Sequence, residues 1–226
     1  MTADRRWATF DCYGTLIDWN GGLRDALGRI FGQSEGTRML DRYHAVEALV
    51  QAEDSSLGYR EVMAEVLSRL AAEDGVDLPL QERDALGRSL PSWPVFPEVR
   101  EALTAAQRRE WRLAILSNTD RDFIDASIER IGVPFELAIV ASEIGSYKPD
   151  RGHWDAFFDR TGADPSLHVH VGASLYHDIR PSAELGLRSI WINRLDEHAD
   201  DVAPARELPD LSRLAETLDE LVRRPG

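Results

Sequence analysis

Cysteine is almost missing from this 226-residue chain: Cys12 stands alone, so no disulfide can form within it. A single thiol fits a reducing compartment. Positive charge is also scarce, with 26 Lys and Arg against 40 Asp and Glu, a formal net charge of −14. Nucleic acid and anionic membrane surfaces both select a basic face, so neither is expected as a partner. Long apolar runs are missing as well, and none approaches the ~18–20 residues of a membrane span. Met1–Arg6 is charged and leads into no apolar leader segment, so the expectation is a cytoplasmic, soluble protein. Repeats and low-complexity tracts are likewise lacking. What remains is an ordinary globular composition, 43% hydrophobic, in a chain long enough to bury roughly 70–75% of its unfolded surface without a staple.

Residues 7–11 (Trp-Ala-Thr-Phe-Asp) form an apolar run that ends at an acid and read as a first strand. Asn20-Gly21-Gly22 is a turn signal. Beyond it the period becomes helical, with Leu23, Leu27, Ile30 and Phe31 on one stripe. Residues 33–37 are a polar break, 39–52 a helix, Asp54-Ser55-Ser56 a second break, 59–72 a helix and 81–89 a shorter one. Three prolines within 91–97 mark a linker. Strands and helices then alternate: helix 98–109, strand 112–116, helix 121–131, strand 137–141, helix 153–161, strand 168–171, helix 178–185, strand 188–192 and helix 211–222. Alternation of this kind predicts an α/β fold with a parallel sheet. Because the first strand is far from the others, residues 19–91 read as an inserted helical domain, and 1–18 with 92–226 as the sheet domain.

Polar residues follow each strand: Asp11 and Thr15, then Ser117 and Asn118, then Lys148, then Ser174 and Asp178. In an open parallel sheet, ligands bind beyond the carboxyl ends of the strands. A carboxylate there is a candidate nucleophile. Taken singly, each of these residues could instead be a helix cap or a solvated loop residue.

Together, Asp11-x-Tyr13-Gly14-Thr15-Leu16, Leu116-Ser117-Asn118, Tyr147-Lys148-Pro149-Asp150 and Gly172-x-Ser174-x-x-x-Asp178 resemble the four motifs of the haloacid dehalogenase superfamily in order and spacing. The resemblance implies a Rossmann-like core, a helical cap domain and Asp11 as an aspartyl nucleophile. Most of that superfamily resembles Mg²⁺-dependent phosphatases, with a second acid two residues after the nucleophile and another directly after the glycine of the fourth motif. Here those positions are Tyr13 and Ala173. Mg²⁺ wants near-octahedral oxygen ligation, and an alkoxide leaving group wants a proton. Phosphate-ester hydrolysis is disfavoured on both counts, although a Mg²⁺-dependent hydrolase remains the alternative.

A carbon–halogen bond needs neither a metal nor an acid. Tyr13 follows the pattern of the L-2-haloacid dehalogenase branch, which implies a small anionic substrate and no cofactor. By that resemblance Lys148 keeps Asp11 ionised and oriented, Asp178 fixes Lys148 or water, Thr15, Ser117 and backbone N–H groups hold the substrate carboxylate, and Ser174 and Tyr13 are further substrate-binding residues. Asn118 and Arg42, 31 positions after Asp11, match the branch's halide-binding pair; alternatively Arg42 is a helix residue paired with Asp41 or Glu47. Two positions depart from the branch: Leu175 replaces an asparagine, and Trp154 replaces a tyrosine and is expected to wall the pocket. His177 is either a solvent-facing helix residue or a base. Cys12 is expected in the core, and His168 and His170 lack a third ligand for a metal. Trp93 and Phe96 are expected to pack the cap and core domains, and 196–201 to be a solvated acidic loop. Homodimers are common in the branch, and nothing in the sequence locates an interface.

Overall fold

The computed structural model describes residues 5–54, 57–199 and 202–223. The expected break at Ser55 and Ser56, the end of the acidic run (200–201) and Met1 to Asp4 lie outside them. The chain forms two compact units, residues 1–17 with 95–226, and 18–94.

The larger unit is built on a six-stranded parallel sheet. Its strands are β1 (Trp7–Phe10), β2 (Arg112–Ser117), β3 (Leu137–Val140), β4 (His168–Gly172), β5 (Arg188–Ile192) and β6 (Arg206–Leu208), in the order β3-β2-β1-β4-β5-β6. The strands are preceded or joined by α5 (Val99–Arg108), α6 (Arg121–Ile131), α7 (Ala141–Ile144), α8 (Gly152–Thr161) and a π-helical turn (Leu175–Ile179) running into α9 (Arg180–Glu184), and α10 (Leu214–Leu221) follows β6. β1 is central and wholly buried, which explains its unbroken apolar run: a strand covered on both faces has no polar period to show. One face packs Trp7, Ala114, Leu116 and Ile139 with Trp154 and Phe157 of α8. β2 and β3 lie on one side of β1 and β4, β5 and β6 on the other, so the order reverses beside β1. That reversal is where doubly wound sheets open a crevice at the carboxyl ends of their strands.

The smaller unit is helical, with α1 (Trp19–Phe31), α2 (Gly36–Glu53), α3 (Tyr59–Glu73) and α4 (Ala85–Ser89). Leu23, Leu27, Met39, Tyr43, Val62, Val66 and Leu70 are all buried.

Three local expectations are corrected. Asn20-Gly21-Gly22 is not a turn but the first turn of α1, which Asp18 caps by accepting from Gly21 N at 2.9 Å. Gly22 is needed for close approach, since a Cβ there would lie 2.3 Å from the Trp93 ring. Trp93 therefore packs within its own helical unit, while Phe96 lies under the Arg194 guanidinium, 3.6 Å from the ring centroid. The helix expected from 178 begins earlier, as the π-helical turn at 175. Finally, α7 and β6, of four and three residues, were not anticipated; elements this short show no period.

Candidate active site

Asp11 follows β1, and its N–H donates to Val171 O on β4 at 2.9 Å. The ladder thus continues one residue past the strand and fixes the backbone of Asp11. Lys148 enters from the loop after α7 and is 2% exposed. Its ammonium donates to Asp11 Oδ1 at 2.9 Å, Asp178 Oδ1 at 2.7 Å and Leu116 O at 2.8 Å. All three N–H bonds are engaged, so the amine is a fixed tripod. Asn118 holds the backbone beneath it: Lys148 N donates to Asn118 Oδ1 at 2.7 Å and Asn118 Nδ2 donates to Lys148 O at 2.9 Å. One amide N–H of Asn118 stays outside this pair.

Asp178 sits in the π-helical turn, and its second oxygen accepts from Ser174 N at 3.1 Å. Gly172 makes room for it, because a Cβ there would lie 2.5 Å from the carboxylate. The Ser174 hydroxyl caps the same turn, accepting from His177 N at 3.0 Å with His177 Nδ1 at 3.1 Å. His177 is therefore half-buried against Ser174 rather than facing open solvent.

The two carboxylates ionise in opposite directions. For Asp178, burial opposes the charge, but Lys148 and a hydrogen bond from His170 outweigh it and hold the carboxyl well below the usual range. For Asp11, burial prevails over the pull of Lys148, and the negative Asp178 adds to it, so its pKa is raised. Lys148 is held charged: burial disfavours the ammonium, but Asp11 and Asp178 more than compensate. The Asp11 side chain is 14% exposed and the Asp178 side chain 0%, so only Asp11 offers an oxygen to a ligand.

Thr15 is fully buried; its hydroxyl donates to Asp11 Oδ2 at 2.9 Å and accepts from Ala173 N at 3.0 Å. With its one proton engaged, it holds the Asp11 carboxylate and has no proton left for the substrate carboxylate it was expected to contact. Trp154 is also corrected. It is fully buried among Trp7, Leu116 and Phe157, with its ring 5.2 Å from that of His170, so it supports the site from below instead of lining a pocket. The Tyr13 hydroxyl is tied to Ser127 Oγ at 3.0 Å. Ser117 is buried and its carbonyl accepts from His153 Nε2 at 3.1 Å. Cys12 is a buried free thiol. Arg42 belongs to the helical unit, where it pairs with Glu73 at 2.6 Å and with Asp74, not with Asp41 or Glu47.

A carboxylate-held Mg²⁺ does not fit this donor set. The lysine ammonium already bridges the two aspartates, Ala173 supplies a methyl group, and no group of three or more His, Cys, Asp or Glu converges among the described residues. The assembled set is instead two carboxylates on one buried ammonium, with Tyr13 and Ala173 where further acids could stand. Thr9 and His170, under the site, were not assigned a role from the sequence. Their alternation on buried strands was the available signal.

The haloacid dehalogenase-like hydrolase family profile matches residues 6–186. The chain therefore belongs to that family of hydrolases. It is 26% identical over 189 residues to the (S)-2-haloacid dehalogenase of Pseudomonas sp. (strain YL), covering 82% of this chain and 81% of that one. It is also 28% identical over 158 residues to the phosphoserine phosphatase of Thermus thermophilus, covering 66% and 64%. The crystal structure of the Xanthobacter autotrophicus L-2-haloacid dehalogenase with chloropropionic acid covalently bound superposes with a TM-score of 0.83 at 17% identity, covering 95% of this chain and 98% of that one. That likeness establishes the fold.

Proposed function

We propose that the protein is a metal-independent 2-haloacid dehalogenase acting on short anionic substrates. The observation that supports this most directly is the environment of Asp11: an ammonium on one oxygen, a hydroxyl on the other, and Tyr13 and Ala173 where a phosphatase would need an acid and a metal ligand. An Asp11 oxygen attacks the α-carbon, a C–O bond forms, and the halide leaves with the C–X electron pair. No proton is required for that step. Water then attacks the ester carbonyl of Asp11; the 2-hydroxyacid departs, one proton is released, and the carboxylate is restored. Lys148 stabilises Asp11 in its charged form before attack and the developing oxyanion during hydrolysis. Asn118 offers its remaining N–H to the ligand, and Arg42 is the proposed halide cation, a role that requires it to exchange Glu73 and Asp74 for the ion. A homodimer and a cytoplasmic location accompany this reading.

The test is halide release from chloroacetate and from each enantiomer of 2-chloropropionate, with and without EDTA, using Asp11→Ala as the blank. EDTA-resistant release that vanishes in the variant is the expected result. The relationship to a phosphoserine phosphatase and Leu175, where the branch has asparagine, favour a second reading, a Mg²⁺-dependent phosphatase. Turnover of a phosphate ester only with Mg²⁺, with no halide release, would establish that instead.

A further inference from the structure

Beneath the site, on the sheet face covered by α8, lie three polar side chains in an otherwise apolar layer. Thr9 of β1 and His170 of β4 are register partners, and His168 is two residues earlier on the same face. All three are 0% exposed. The rings of Trp154, Phe157 and Phe158 pack against the imidazoles at 5.2 Å. Burying polar groups here costs free energy unless each is paired, and an all-apolar layer would avoid that cost.

The pairing is directional. His170 Nε2 lies 3.3 Å from Asp178 Oδ1, Thr9 Oγ1 lies 2.8 Å from His170 Nδ1, and His168 Nε2 lies 2.8 Å from Thr9 Oγ1. The ionised Asp178 can only accept, so His170 Nε2 carries the proton and its Nδ1 is a lone pair. Thr9 must then donate its single proton to that Nδ1 and accept from His168 Nε2–H. His168 Nδ1 is left as a lone pair without a hydrogen-bond partner among the described residues.

We propose that His170 is a positioning residue: a one-way chain from His168 through Thr9 and His170 pins Asp178, and through it the Lys148 tripod, against Asp11. Asp178 Oδ1 thereby accepts from both Lys148 and His170 while Oδ2 accepts from Ser174 N; the second Oδ1 contact requires His170 to keep its Nε2–H form, and together the three donors fix the orientation of the carboxylate. The other titratable groups in the field of His170 are His153, Lys148 and Asp11.

The kinetic half of the test rests on the dehalogenase reading; the spectroscopic half does not. Long-range ¹⁵N–¹H correlation spectra of the wild-type protein are expected to show His168 and His170 neutral with the proton on Nε2. An Nδ1–H tautomer or an imidazolium at His170 would overturn the chain. In halide-release kinetics, His170→Leu is expected to lower kcat roughly 10- to 100-fold with KM little changed, as a misplaced catalytic group does. His170→Gln, which keeps an N–H near the Nε2 position, is expected to restore most of it, and Thr9→Val to fall between. Undiminished kcat in His170→Leu, or equal losses in the Leu and Gln variants, would refute the positioning role. If His170→Leu does not fold, Thr9→Val and the wild-type spectra decide. If the wild type releases no halide, the dehalogenase reading fails while the spectra still judge the chain.

Discussion

Asp11 and Asp178 share one ammonium, yet only Asp11 keeps an exposed oxygen. Asp178 has three donors and no exposure, so it serves as the permanent counter-ion of Lys148. Asp11 keeps some exposure and a raised pKa, a combination that costs stability in its ionised form. Asp11→Asn should therefore abolish halide release while raising the thermal midpoint at pH 7, because it removes a charge that burial disfavours. Thermal unfolding and halide assays on the same preparation would check both; a lowered midpoint contradicts the assignment. Lys148→Met should act the other way on stability. It leaves two buried carboxylates without their cation, a loss of about 3–5 kcal/mol for a broken buried pair, and chemical denaturation would measure it.

At the scale of elements, the site is made by the segments that follow β1, β2, β3 and β4, and two small features set their approach. Gly172 ends β4 in direct contact with the Asp178 carboxylate. Gly172→Ala should displace that carboxylate, with an overpacking cost of about 1–3 kcal/mol and a fall in kcat larger than the change in KM, read from steady-state kinetics. Asn118 joins the loop after β2 to the backbone of Lys148 through two hydrogen bonds. Asn118→Ala should cost about 1–3 kcal/mol, since it leaves backbone groups unpaired. It should also lower activity through a looser lysine. Unchanged stability in denaturant titration would show that water replaces the amide without loss.

Over the whole molecule, the buried histidines govern the response to acid. Burial pushes His153 and His168 down to about 3; nearby cations add to the shift, Lys148 at the first and His170, when protonated, at the second. Their folded pKa values lie below the unfolded one, so the unfolded chain takes up the proton first. The stability contributed by the neutral imidazoles is complete above pH ~6.5 and declines as pH falls toward 3. At pH 4.5 the loss should be about 2–3 kcal/mol for each. The pH dependence of the denaturation midpoint checks this: net proton uptake on unfolding is expected between pH 6 and 4, with His170, His177 and His44 shifted in the same direction. His168→Gln should lower that slope by about one proton. No helix among the described residues is long and apolar enough to cross a membrane.

Apolar runs and helical spacing located the five longer strands and most helices, because burial on one face or on both leaves a readable pattern once a segment is several residues long. It missed β6 and α7, which are too short to show one, and it misread Asn20-Gly21-Gly22, whose glycines answer to the Trp93 ring and the Asp18 cap, contacts that local sequence does not reveal. The four motif clusters were likewise legible, since strand ends converge in any doubly wound sheet. Which hydroxyls and amides face a ligand was not. The Thr15 hydroxyl is engaged by Asp11, the Asn118 carbonyl and one of its N–H groups by the Lys148 backbone, and Trp154 by the core. Likewise, the sequence alone determined that one lysine and two aspartates meet at the strand ends. Only the tertiary structure decided which aspartate is sealed against the ammonium and which keeps an exposed oxygen, because burial and shared protons depend on neighbours that the fold, not the chain order, brings together.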